Sequence, residues 1–88
     1  MWLETITTRT AKLEALKAAL PELLEQLASE APELEVAVYT RYPGTNDLTL
    51  QLLHRSEPIK SSALGLQIAA AFNSYGTVDH ALWQAVEA

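Results

Sequence analysis

The residues best suited to move a proton near neutral pH are two histidines, His54 and His80, since imidazole changes charge in that range and can serve as acid, base or ligand. They lie far apart in the chain, with no His-Glu-x-x-His spacing, and so outline no metal site; no metal and no cofactor is expected. The chain has no cysteine, which removes disulfides and thiolate ligation altogether. His80 stands three positions before Trp83 and is the one weak candidate for a catalytic residue. Its simpler role is structural, with the ring nitrogens bonded to backbone or to a partner subunit. His54 precedes Arg55 and reads as a solvated position at a strand edge.

Other side chains suggest binding. Arg9 and Arg41 could grip a carboxylate or phenolate together, or form a solvated rim with Asp47 whose ion pairs are worth under ~1 kcal/mol each. Tyr39, Gln51 and Leu53, with Trp2 or Trp83, could line a pocket for a flat apolar or aromatic ligand. The same residue types are enriched at protein–protein contacts, so a dimer face fits them equally. Glu22, Glu25, Glu30, Glu33 and Glu35 match no calcium loop and read as a solvated helix side and loop. Ser61-Ser62 has no nucleophile-elbow context and reads as a helix cap, and glycine-rich phosphate loops are absent.

The elements that must carry these residues follow from patterning. Residues 2–9 are rich in β-branched and aromatic types, three of them threonine, a strand composition. Thr10 is the expected N-cap of a first helix, in which Leu13, Leu16, Leu20, Leu23, Leu24 and Leu27 recur at three- and four-residue steps. Pro21 predicts a kink or restart, and Ala31-Pro32 closes the segment. Leu34, Val36 and Val38 alternate with Ala37, Tyr39 and Arg41 across a strand over 34–41. Pro43-Gly44-Thr45-Asn46-Asp47 is a turn by composition, and 48–54 alternates again, with Leu48, Leu50 and Leu52 opposed to Thr49, Gln51 and Leu53. After a polar loop with Pro58, a cap at Ser61 or Ser62 opens a second helix, where Leu64, Ile68, Ala71, Phe72 and Tyr75 share a face. Gly65 and Ala69 would let this helix lie close to the sheet. Gly76 is the expected left-handed C-terminal cap, and residues 77–85 read as a fourth strand, with a short helix as the alternative.

Strand, helix, hairpin, helix and strand make a single α+β domain over residues 1–88, with the ferredoxin-like βαββαβ order. Its four-stranded antiparallel sheet is expected to carry both helices on the Leu34/Val36/Val38 and Leu48/Leu50/Leu52 face. The other face, with Ala37, Tyr39, Thr49, Gln51 and Leu53, is too apolar for an ordinary monomer surface, so face-to-face homodimerisation is expected. So short a chain buries only roughly 60–65% of its surface, which also favours a partner.

The charge balance, six basic against eleven acidic residues for a net −5, leaves no basic stripe for nucleic acid. No apolar run reaches the ~20 residues of a membrane span, and the opening residues lack the signature of a signal peptide. A cytoplasmic location is the expectation.

Several stretches together resemble the dimeric α+β-barrel superfamily, in particular an uncharacterised subgroup of the antibiotic-biosynthesis-monooxygenase-like proteins. They are Leu3-Glu-Thr-Ile-Thr-Thr-Arg9, Glu30-Ala-Pro-Glu-Leu-Glu-Val-Ala-Val-Tyr-Thr-Arg41 with the strand that follows its turn, and Ser62-Ala-Leu-Gly-Leu, Gly76 and Val78-Asp-His-Ala-Leu-Trp83. The resemblance covers nearly the whole chain as a pattern and implies a homodimer whose two sheets form a barrel around a pocket. It is similar to families with many activities, so it transmits no single function. Its haem-degrading and cofactor-free oxygenase members use a strand asparagine with tryptophan and often histidine nearby. Here Asn46 falls in the turn and Asn73 in the second helix, and no catalytic residue is carried over. Two functions follow as expectations: a cofactor-independent monooxygenase-like enzyme or binder of a small aromatic compound, and a non-catalytic assembly module that uses the open sheet face.

Overall fold

A computed structural model describes residues 1–44, 46–57 and 61–86. The elements run β1 (Trp2–Thr10), α1 (Leu13–Glu30), β2 (Glu35–Thr40), β3 (Asp47–His54), α2 (Ser61–Phe72) and β4 (Gly76–Gln84). The four strands form one antiparallel sheet in the order β2-β3-β1-β4. This is the ferredoxin-like arrangement expected from the patterning, and the closing segment is a strand.

Side-chain parity decides which face the helices cover. Leu48, Leu50 and Leu52 of β3 and Ile6 of β1 are buried together with Leu16 and Leu27 of α1 and Ile68 and Phe72 of α2. Leu34, Val36, Val38, Leu64, Tyr75 and Val78 pack around that cluster. Both helices therefore share one face. Alternation sends Leu3, Thr5, Thr7 and Arg9 to the other side of β1, since the side-chain period along a strand is two.

The covered face of β1 is unusually polar: Glu4, Thr8 and Thr10 are as buried as Ile6. Two of them are satisfied by the carbonyls around β4. Thr8 Oγ1 donates to the Thr77 carbonyl at 2.7 Å, and Thr10 Oγ1 to the Tyr75 carbonyl at 2.6 Å.

Two local expectations are corrected, at Thr10 and Gly76, and of the two outcomes expected at Pro21 the restart is excluded. Thr10 ends β1 rather than capping α1. Its hydroxyl accepts the Lys12 backbone N–H at 2.8 Å, and the cap position itself is Lys12, without a side-chain cap bond. Helix α1 does not restart at Pro21 but runs through it. Gly76 is the first residue of β4 and has no positive φ. What demands glycine there is proximity, because a Cβ would collide with the backbone carbonyl of Arg9. Thr45, Pro58 and the capping hydroxyl expected of Ser61 or Ser62 fall outside what is described.

Candidate functional site

On the uncovered face the strand register stacks side chains into four rows. The first is Glu35, Leu53, Leu3 and Trp83; the second Ala37, Gln51, Thr5 and Ala81; the third Tyr39, Thr49, Thr7 and Asp79. The fourth holds Asp47, Arg9 and Thr77, with Arg41 just beyond β2. Along the two central strands, from Leu3 to Arg9, the side chains thus change from apolar, through hydroxyl and amide, to charged, while the edge strands add the carboxylates of Glu35 and Asp79. At about 3.4 Å per residue that gradient extends over about 20 Å.

The rows bound a concavity of about 710 Å³, within the size range of small-molecule sites. Thr5, Thr7, Thr49 and Gln51 line its floor. Tyr39 and Trp83 belong to opposite edge strands and line it from either side, 55% and 60% exposed. Two contacts hold the lining in place: Thr7 and Thr49 share a hydroxyl–hydroxyl bond of 2.8 Å, and Trp83 Nε1 donates to Thr5 Oγ1 at 3.1 Å. Leu53 lines a smaller neighbouring depression of about 210 Å³ with Leu3, Ala37 and Gln51.

The charged row is built on Asp47. Arg9 Nε reaches Asp47 Oδ1 at 2.9 Å, and Arg41 Nη1 reaches Oδ2 at 3.4 Å. The hydrogen bond from Arg9 is the main cause that holds the Asp47 carboxyl below its ordinary range, opposed by partial desolvation and reinforced by the charge of Arg9 and by Arg41. The same hydrogen bond raises the Arg9 guanidinium. Both arginine side chains remain more than 60% exposed while Asp47 is 15% exposed beneath them. Two cations over one carboxylate leave outward-facing guanidinium donors at this end.

The covered face holds the other chemical cluster. Glu4 is 1% exposed, and each of its carboxylate oxygens meets one imidazole: Oε1 lies 2.9 Å from His54 Nε2, and Oε2 lies 2.5 Å from His80 Nε2. Each pairing joins one carboxylate oxygen to an Nε2, and the imidazole donates where Nε2 carries the proton. Every histidine of the chain is thereby committed to one side chain on β1. Such a carboxylate fixes ring orientation and tautomer, the role an acidic residue has beside a catalytic imidazole. Among the described residues no group of three His, Asp or Glu is placed to hold a metal ion.

The structure therefore divides the residues singled out by patterning. Tyr39, Gln51, Trp83, Arg41 and Arg9 come together in the concavity, and Leu53 lies beside it. Trp2 does not join them, because it shares the parity of Glu4 and Ile6. His80 does not join them either: it pairs with Ile6 in mid-strand and turns to Glu4 on the helix side. His54, expected to be solvated, is 3% exposed because Glu4 draws it inward. Glu4 went unnoticed in the patterning. The available signal was that it shares a parity with Ile6, where a carboxylate requires polar partners.

No helix among the described residues is long and apolar enough to cross a membrane. No protein-family model matches the chain, and neither a characterised protein nor a solved structure matches it.

Proposed function

We propose that the chain binds a small amphipathic molecule along its open sheet face, with an aromatic or apolar body and a carboxylate or phenolate head. The observation that carries this reading is the ordered change along β1 and β3, from Leu3 to the Arg9–Asp47–Arg41 cluster, inside one concavity, with Leu53 in the depression beside it. The apolar body would lie between Tyr39 and Trp83, where aromatic faces supply contact area at low entropic cost. The head would meet the guanidinium donors that Asp47 leaves outward. Cofactor-free oxygenation, the activity nearest to the resemblance, would need a proton acceptor beside that ligand. His80 stands on the other face of the sheet and does not fill that role, which would fall to the Asp79 carboxylate in the lining; binding needs no such group and is the reading proposed.

The competing reading is an assembly module that uses the same face. It draws on the exposure of Tyr39 and Trp83, residue types common at interfaces. Titration with anilinonaphthalene sulfonate, an aromatic anion, separates the two. Ligand binding predicts saturable enhancement at one site per chain, weakened about tenfold or more by Trp83→Ala and by Arg9→Gln, with the molecular mass unchanged. Absence of saturable binding, together with a mass that falls in a Tyr39→Ala variant, would establish the assembly reading instead.

A further inference from the structure

The two edges of the sheet are built differently. Strand β2 has six residues, opens on the charged Glu35 and runs into a turn containing Pro43. Strand β4 has nine residues, contains no proline, lysine or arginine, and carries a single acidic residue, Asp79. Proteins ordinarily blunt a long edge with charge, proline or a bulge, because its unpaired N–H and C=O groups are a template for another strand. Among the described residues β4 pairs only with β1, and the chain leaving it bonds back to Met1 (Ala85 N–H to the Met1 carbonyl, 2.8 Å), away from the outer edge.

Apolar side chains are exposed on both sides of this edge, whereas Tyr39 and Tyr42 are exposed at the β2 end and Leu66 on α2. Leu82 points to the helix side and is 47% exposed; Trp83 points to the open side and is 60% exposed. A ligand on one face would cover one of them. A strand laid beside β4, with its own sheet behind it, flanks both.

We infer that β4 is a self-pairing edge: two copies of the chain join antiparallel, β4 to β4, into a continuous eight-stranded sheet. Twofold symmetry with the helices on a common face requires that a residue lie opposite itself on the axis. His80 is the midpoint of Gly76–Gln84, and centring there pairs all nine residues. It sets Val78 opposite Leu82 on the helix side and Asp79 opposite Ala81 on the open side. Centring on Asp79 would instead set two carboxylates against each other, which cross-strand pairs disfavour. The two His80 rings meet at the axis, each held toward its own Glu4. This assembly leaves both open faces uncovered, and it stands whether or not those faces bind a ligand.

The test is mass by light scattering with size-exclusion chromatography at micromolar concentrations, with circular dichroism to verify folding. The wild-type chain is expected at twice its 9.7 kDa. Ala81→Glu, which sets a carboxylate against Asp79 of the second copy at both symmetry-related positions, should halve the mass. Ala81→Lys, which sets a cation there, should keep it. Tyr39→Glu, on the far edge strand, should also keep it. A wild-type monomer at 100-fold higher concentration would overturn the inference. So would a dimer that Tyr39→Glu dissolves, since that places the contact on the open face, or one that survives Ala81→Glu.

Discussion

Gly65 of α2 lies directly over the Glu4 carboxylate of β1, so close that a Cβ at that position would overlap the carboxylate and come within 3.0 Å of His80 Nε2. The helix can settle on the sheet here only because residue 65 has no side chain, and the carboxylate cannot swing aside because an imidazole holds each oxygen.

Gly65→Ala is expected to destabilise the protein despite alanine's advantage of up to about 1 kcal/mol within a helix. Overpacking of this kind costs about 1–3 kcal/mol. A lower urea midpoint with an unchanged slope is the expected result. A raised midpoint would mean that the helix lifts without loss.

Glu4→Ala leaves two imidazole nitrogens without their carboxylate partner, at about 1–3 kcal/mol for each one that stays buried. If the cluster is purely structural, replacing all three members with leucine recovers most of that loss, because apolar substitutes of similar volume are commonly neutral or better. Chemical denaturation of Glu4→Ala beside the triple variant checks this. A triple variant no more stable than Glu4→Ala would show that the polar cluster fixes the geometry in a way packing cannot replace.

Gly76→Ala is expected to be poorly tolerated for a different reason. The obstacle is the Arg9 carbonyl, a backbone group already set by the β1–β4 ladder, so relief requires separating the strand ends. Hydrogen exchange should show lost protection at Thr77 and Arg9, which face each other across the β1–β4 ladder, while the Thr10 amide stays bonded to the Asn46 carbonyl; the expected stability loss is about 1–3 kcal/mol. Unaltered protection at Thr77 and Arg9 would count against the steric argument.

The hairpin and both helices were legible because their patterns answer to a single face: Leu48, Leu50 and Leu52 alternate with polar partners, and the leucines of α1 keep helical spacing. Strand β1 was legible as a strand but not in its orientation. Leu3 and Ile6 lie on opposite parities, and each parity contains threonines. What settles the matter is supplied from far along the chain: the carbonyls of Thr77 and Tyr75 satisfy Thr8 and Thr10, and His54 and His80 satisfy Glu4. Local alternation carries no trace of such partners. The reading of Gly76 as a left-handed cap failed likewise, since the reason for glycine is a neighbour on β1.

The Arg9–Asp47–Arg41 cluster makes an acid-side prediction. Asp47's folded-state carboxyl titrates below its unfolded value, so its contribution is present above the unfolded range, near pH 4, and is lost as pH falls through the lower folded value. Thermal midpoints of wild type and Asp47→Asn should therefore differ at neutral pH and converge as pH drops below about 4. Salt near 1 M should shrink the neutral-pH difference, since the arginines are exposed to screening. A gap that widens in acid would contradict the assigned ion pairs.

The central position of β1 has a kinetic meaning. Its contacts reach to residues 38, 76 and 78 positions away, at Asp47, His80 and Trp83. Loop closure over such spans slows folding relative to a helical bundle of equal size. On the ribosome, α1 and the β2–β3 hairpin can form early, but one flank of β1 stays unpaired until β4 emerges. The Glu4 carboxylate waits for His80 through the same interval, so the polar cluster in this sheet is completed only when the last strand arrives.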